Sequence, residues 1–157
     1  MDFKFTVSGR ISKPVHEVFE AVADPKQLSG YFTTGGAQGR LETGAVVTWD
    51  FHDFPGAFPV EVVEVEQDRR IVLRWDAAEG ESADTATPSG YKTTVTLTFE
   101  PLDGNTRTLV SITEEGWKET EAGLKSSYGN CEGWTGMLAA MKVYLEHGIT
   151  LREGFYR

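Results

Sequence analysis

The chain has 157 residues, with 15 Lys plus Arg against 24 Asp plus Glu and a net charge of −9. That length fits one domain, residues 1–157, around one core, and the negative surface excludes a nucleic-acid partner and opposes anionic membranes. No apolar run approaches the roughly 20 residues that span a bilayer, and the single Cys131 excludes an internal disulfide and fits a reducing, cytoplasmic setting.

Alternation begins at once in Phe3-Lys4-Phe5-Thr6-Val7, which predicts a strand to Ile11 rather than a signal peptide. Ser12 then offers an N-cap, with Pro14 in the first helical turn. Val15, Val18, Phe19 and Val22 form one apolar stripe, and Asp24-Pro25 ends that helix. A second short helix is expected over Gln27 to Phe32, ended by Thr33-Thr34-Gly35-Gly36. A weak strand near Gln38 to Leu41 follows, then one over Val46 to Phe51 with Val47, Trp49 and Phe51 on one face. Phe58 to Val65 is too evenly apolar for clean alternation, which predicts a bulge. Ile71, Leu73 and Trp75 alternate after a turn at Asp68-Arg69-Arg70. Ala77 to Gly90 is acidic and small, and reads as a long mobile hairpin loop. Tyr91, Thr93, Val95, Leu97 and Phe99 then share a face, Leu102-Asp103-Gly104-Asn105 makes a hairpin turn, and Thr108, Val110 and Ile112 continue the inward face.

The closing segment, Cys131 to His147, carries Trp134, Met137, Leu138, Met141, Tyr144 and Leu145 at steps of three and four, one helical face. Asn130 is its expected N-cap and Gly148 its stop. So wide a stripe needs a sheet to cover it. The order predicts an α+β fold: a curved antiparallel sheet of about six to seven strands, two short helices after the first strand, and one long closing helix. A hollow between sheet and helix would suit a small apolar molecule.

Three segments resemble a known superfamily. They are Ile11 to Phe19 with Asp24-Pro25, Thr108 to Trp117, and Gly133-Trp134 with Met137-Leu138 and Tyr144-Leu145. In order and spacing they resemble the START/polyketide-cyclase/pollen-allergen (SRPBCC) superfamily, and within it the family named after the C-terminal domain of the activator of heat-shock protein ATPase. The resemblance implies the helix-grip fold and binding of hydrophobic small molecules or of proteins, without a shared catalytic set. Many relatives carry a histidine where Glu114 stands here, so a carboxylate would alter the pocket's polarity.

The expected pocket lining is Trp49, Phe51, Trp75, Tyr91, Val95, Val110, Ile112, Trp134, Met137 and Met141, with Glu114 or Tyr91 orienting the ligand. The plainer alternative is that these side chains fill the core. Gly133 and Gly136 leave either ligand room or close approach of the helix to its neighbours. Asp50 and His52 share a strand face, either as an acid–base pair or as solvated surface. Cys131 at a helix start is a candidate low-pKa thiol. Glu61, Glu64 and Glu66 read as an exposed edge or face. His16, His52 and His147 fall on separate elements, so no metal is expected, and no other cofactor either.

Three functions compete: binding of a lipid, polyketide or phenolic compound; a co-chaperone-like module acting on a heat-shock protein ATPase; and a cyclase or hydrolase using Glu114, Tyr91 and Asp50. The expectation is non-enzymatic binding. A homodimer through an edge strand stays open.

Overall fold

The computed structural model describes residues 2–54, 56–79 and 87–156. The chain runs β1 (Lys4–Ile11), α1 (Val15–Ala23), α2 (Pro25–Leu28), β2 (Gly36–Gln38) and β3 (Val46–Asp50). It continues through β4 (Phe58–Glu66), β5 (Arg70–Glu79), β6 (Thr87–Leu102), β7 (Arg107–Glu115) and α3 (Glu121–His147). All strands join one antiparallel sheet, ordered β1-β7-β6-β5-β4-β3-β2. This is the helix-grip architecture that the order of elements predicts.

Period-two burial decides which side chains enter the core. β7 buries Thr108, Val110, Ile112 and Glu114, and β6 buries Thr93, Val95, Leu97 and Phe99. Glu114 is therefore carried inward by its place in the strand, opposite Val95. Register shifts between Val62 and Glu64, and between Asp76 and Ala78, mark bulges. Bulges bend and twist a strand, and here they help the sheet wrap the helix. The first lies in the run where the sequence predicts one.

α3 is ten residues longer at its start than the expected Cys131–His147: it begins at Glu121. Thr120 is the cap, and its Oγ1 accepts from the Gly123 amide at 3.0 Å. Asn130 thus lies inside the helix rather than at its end. Each interior glycine disfavours helix by about 1 kcal/mol, which suggests a later start; the Thr120 cap and docking onto the sheet outweigh that cost. Gly148, at φ 68°, ends the helix as expected. Trp134, Met137, Leu138 and Met141 are its buried stripe.

The early helices also differ from expectation. Pro14, not Ser12, holds the N-cap position of α1, with no cap bond from its own side chain. The first amide of the helix, Val15 N–H, is instead taken by Asn105 Oδ1 at 2.9 Å, from the β6–β7 turn. α2 starts earlier and is shorter than predicted, because Pro25 suits a first turn and Asp24 Oδ1 accepts from Lys26 N–H at 3.0 Å. Tyr31 and Phe32 are buried beyond it, in turns. β2 lies at Gly36–Gln38 rather than running to Leu41. The hairpin predicted as loop from Ala77 to Gly90 is strand through Glu79 and again from Thr87; its centre lies outside the described residues. Glu61, Glu64 and Glu66 occupy β4, an interior strand, so they line a face, not an edge, where Lys92 and Arg70 pair with them.

Candidate functional site

Glu114 has no solvent exposure, and four side chains donate to it. Trp75 Nε1 and Thr93 Oγ1 donate to Oε2 at 3.0 and 2.7 Å. Trp134 Nε1 donates to Oε1 at 2.8 Å. Asn130 Nδ2 reaches both oxygens, at 3.1 and 2.9 Å. The donors come from β5, β6 and, one helical turn apart, from α3, so the carboxylate ties the closing helix to the sheet.

Burial pushes the Glu114 carboxyl above its ordinary value, opposed by the bonds from Trp75, Thr93, Trp134 and Asn130. A carboxylate has about four lone-pair sites, and these donors fill them. The arrangement suits orienting the two indoles better than acid–base work.

The indoles belong to a ring circuit. Trp75 stacks on Trp134 at 5.5 Å between centroids, and Trp134 on Phe32 at 5.4 Å. Phe32 meets Phe51 at 5.0 Å, Phe51 meets Phe58 at 5.9 Å, and Phe58 returns to Trp75 at 5.8 Å. Trp49 touches both Phe32 and Trp75 edge-on, each at 5.8 Å. Such contacts are ordinary packing distances, so the hollow expected between sheet and helix is closed here by side chains. Trp49 Nε1 is buried within this circuit with no hydrogen-bond partner among the described residues. Two clefts formed by the described residues lie elsewhere. One, of about 70 Å³, sits between α3 and segment 148–156; the other is an open groove of about 600 Å³ near Asp68, Arg69 and Pro101.

Of the residues singled out from sequence, Trp49, Phe51, Trp75, Glu114 and Trp134 are brought together. Val95, Val110, Ile112, Met137 and Met141 are fully buried beside them in the core. Tyr91 stands apart at the rim: its hydroxyl donates to Glu79 and accepts from Lys118 N–H at 3.3 Å, and the Lys118 ammonium sits 4.9 Å from its ring centre. Asp50 and His52 form no acid–base pair. Asp50 Oδ1 accepts from Gly56 N–H at 3.0 Å, while His52 lies past the strand end, exposed, with its amide on Thr34 Oγ1. Cys131 lies inside α3, ten residues past its start at Glu121, rather than at a helix start. Among the described residues no cluster of His, Cys, Asp and Glu is arranged to hold a metal. Gly136 serves close approach: a Cβ there would lie 2.2 Å from the Tyr156 hydroxyl oxygen, whereas Gly133 faces open space.

Sequence reasoning missed Thr93, Asn130, Phe32 and Arg152. Thr93 was legible as a polar residue at an inward strand position. Asn130 was legible as the residue four before Trp134. Arg152 follows the helix stop and carries no periodic signal. It is nonetheless buried, bonds Asp53 through Nη2 at 3.1 Å to each oxygen, and lies over the rings of Phe51, Tyr156 and Phe32 at 4.6, 5.0 and 5.5 Å.

Among the described residues, no helix is long and apolar enough to cross a membrane. No curated protein matches the chain. Among solved structures, a Staphylococcus saprophyticus protein is 27% identical with a TM-score of 0.75, over 95% of this chain and 96% of that one. DynU16, from the dynemicin biosynthetic locus, is 25% identical with a TM-score of 0.75, over 94% of this chain but only 49% of its own. The Aha1 dimer from Colwellia psychrerythraea is 18% identical with a TM-score of 0.70, over 92% of this chain and 97% of that one, a likeness of fold alone. The sequence profile described as "Activator of Hsp90 ATPase homolog 1-like protein" matches residues 12–146, most of the length, and the chain belongs to that family.

Proposed function

We propose that this domain binds a small, largely apolar molecule, such as a lipid, a polyketide or a phenolic compound, within the ring circuit above Glu114. The observation that carries this reading is Trp49 Nε1, a buried donor without an acceptor among the described residues, amid five other aromatic rings. Such a group costs about 1–3 kcal/mol unless something satisfies it. A ligand with a carbonyl, ether or phenol oxygen would do so, while the ring faces supply dispersion contact. The other two indole N–H groups are committed to Glu114, which holds their rings in place. Entry requires the rings to part. The lone Cys131 fits a cytoplasmic setting for this role.

Titration with neutral Nile red, read by tryptophan and dye emission, tests the proposal. Saturable binding is expected, weakened about tenfold by Trp49→Phe, as one hydrogen bond is lost. A signal that only rises linearly with dye overturns it.

The family description supports a second reading, a protein-interaction module acting on a heat-shock protein ATPase. A change in the ATPase rate of purified chaperone on adding the domain is its test, and an unchanged rate with no complex on gel filtration removes it.

A further inference from the structure

Segment 148–156 leaves α3 through Gly148 and folds back over the ring circuit. Thr150 Oγ1 donates to Gly30 O at 3.2 Å, and Tyr156 lies against Phe54 and Gly136. Its centre is Arg152, whose side chain is 8% exposed. The guanidinium rests over Phe51 and Phe32, both members of the circuit, and under Tyr156. Its counter-ion is Asp53, half-buried, at 12% side-chain exposure. Ring faces around a carboxylate make a cation site, because the quadrupole of each ring and the anion attract the same charge.

The segment fits its place poorly. Arg152 Nε and the Tyr156 hydroxyl are buried with no hydrogen-bond partner among the described residues. Ile149, Leu151 and Phe155 point their apolar side chains to solvent, at 57%, 37% and 59% exposure. The cleft of about 70 Å³ separates the segment from α3. A buried ion pair gains little net stability over its desolvation cost. These features describe a cover held by one pin rather than by a packed face.

We propose that Phe32, Phe51 and Asp53 form a cation-binding end of the ligand site, that Arg152 occupies it in place of a ligand, and that a molecule carrying a planar cationic group, an amidinium, a guanidinium or an aromatic ammonium, displaces it. This rests on the reading that the ring circuit admits a small molecule, and it names the charge that molecule carries. The net charge of −9 would draw such a ligand toward the protein.

The experiment compares benzamidinium, its neutral isostere benzamide, and benzoate by titration calorimetry against the wild-type chain and Arg152→Ala. Benzamidinium is expected to bind Arg152→Ala at least tenfold more tightly than wild type, since the competitor is gone. Benzamide and benzoate are expected to bind Arg152→Ala at least tenfold more weakly than benzamidinium does. Adding Asp53→Asn to Arg152→Ala should remove at least tenfold of that affinity. If Arg152→Ala does not fold, Gly136→Ala carries the same expectation, because its Cβ pushes on Tyr156 and loosens the cover with the cation site intact. The proposal is overturned if neither variant strengthens benzamidinium binding, or if benzamide binds as well as benzamidinium. Saturable Nile red binding alongside either of those results would leave the apolar site standing without its cationic end.

Discussion

Asn130 donates one amide nitrogen to both oxygens of Glu114, bridging the carboxylate from the middle of α3. Trp134, one turn later, donates to one of those oxygens and Trp75, from the sheet, to the other. Each oxygen of Glu114 therefore receives an indole N–H, which is a donor only. Glu114→Gln cannot satisfy this arrangement in either orientation, since its NH2 must face an indole. We expect it to destabilise the fold by about 2–4 kcal/mol, read as a lower urea midpoint with unchanged slope. A midpoint within error of wild type would show that the contacts carry no net energy.

The same carboxyl sets a pH dependence. Its folded-state pKa lies above the ordinary 4.5, raised chiefly by burial. The native state therefore holds the proton more tightly, and the stability this adds is complete below about pH 4.5 and lost as pH rises through the folded value. The stability of wild type relative to Glu114→Gln should therefore fall as pH rises above about 4.5. Glu20 gives the opposite slope. Arg40, bonded to it at 2.7 and 2.6 Å, holds its carboxyl below 4.5, so that contribution is present above pH 4.5 and lost as pH falls. Urea melts of wild type, Glu114→Gln and Glu20→Gln at three pH values test both signs.

Two tryptophans of the ring circuit should respond differently to the same change. Trp134→Phe removes a donor that is in use and leaves Glu114 short of a bond. Trp49→Phe removes a donor that has no partner among the described residues. Ring area lost is the same, so Trp134→Phe should cost about 1–3 kcal/mol more than Trp49→Phe. Equal losses in guanidinium melts would mean that the Trp49 N–H is satisfied after all, and with it would go the case for a ligand acceptor.

Asn105 does two tasks in the β6–β7 turn. It accepts a left-handed backbone, φ 64°, and its side chain takes the first amide of α1. Asn105→Gly keeps the backbone and loses the cap, for about 1 kcal/mol. Asn105→Ala loses both and should cost about 1 kcal/mol more. Thermal melts that rank alanine above glycine would contradict this.

Much of the fold was legible because two periods carry it. Val110 and Ile112 announce an inward face that Glu114 continues, and Trp134, Met137 and Met141 announce the helix face that covers it. The bulge in Phe58–Glu66 could be read from a broken alternation. What failed were long-range choices. Asn130 has the chemistry of a cap, and only the position of Glu114 across the core shows why it lies mid-helix. The cap of α1 comes from Asn105, far along the chain, so local residues such as Ser12 mislead. The polar half of the site, Thr93 with Asn130 and Asp53 with Arg152, joins residues whose meeting depends on the folded sheet. No spacing rule reports that.

α3 is one helix made of two unlike halves. From Glu121 to Gly133 it contains Gly123, Gly129 and Gly133, and it meets the sheet through polar bonds, Ser126 Oγ donating to Ala78 O at 2.7 Å and Asn130 donating to Glu114. From Trp134 to His147 it carries the apolar stripe. Local opening follows apolar burial, so amide protons of the first half should exchange with solvent well before those of the second. The helix then behaves as a hinged bar: anchored at its far end, and free to breathe over the buried carboxylate where a guest would have to settle.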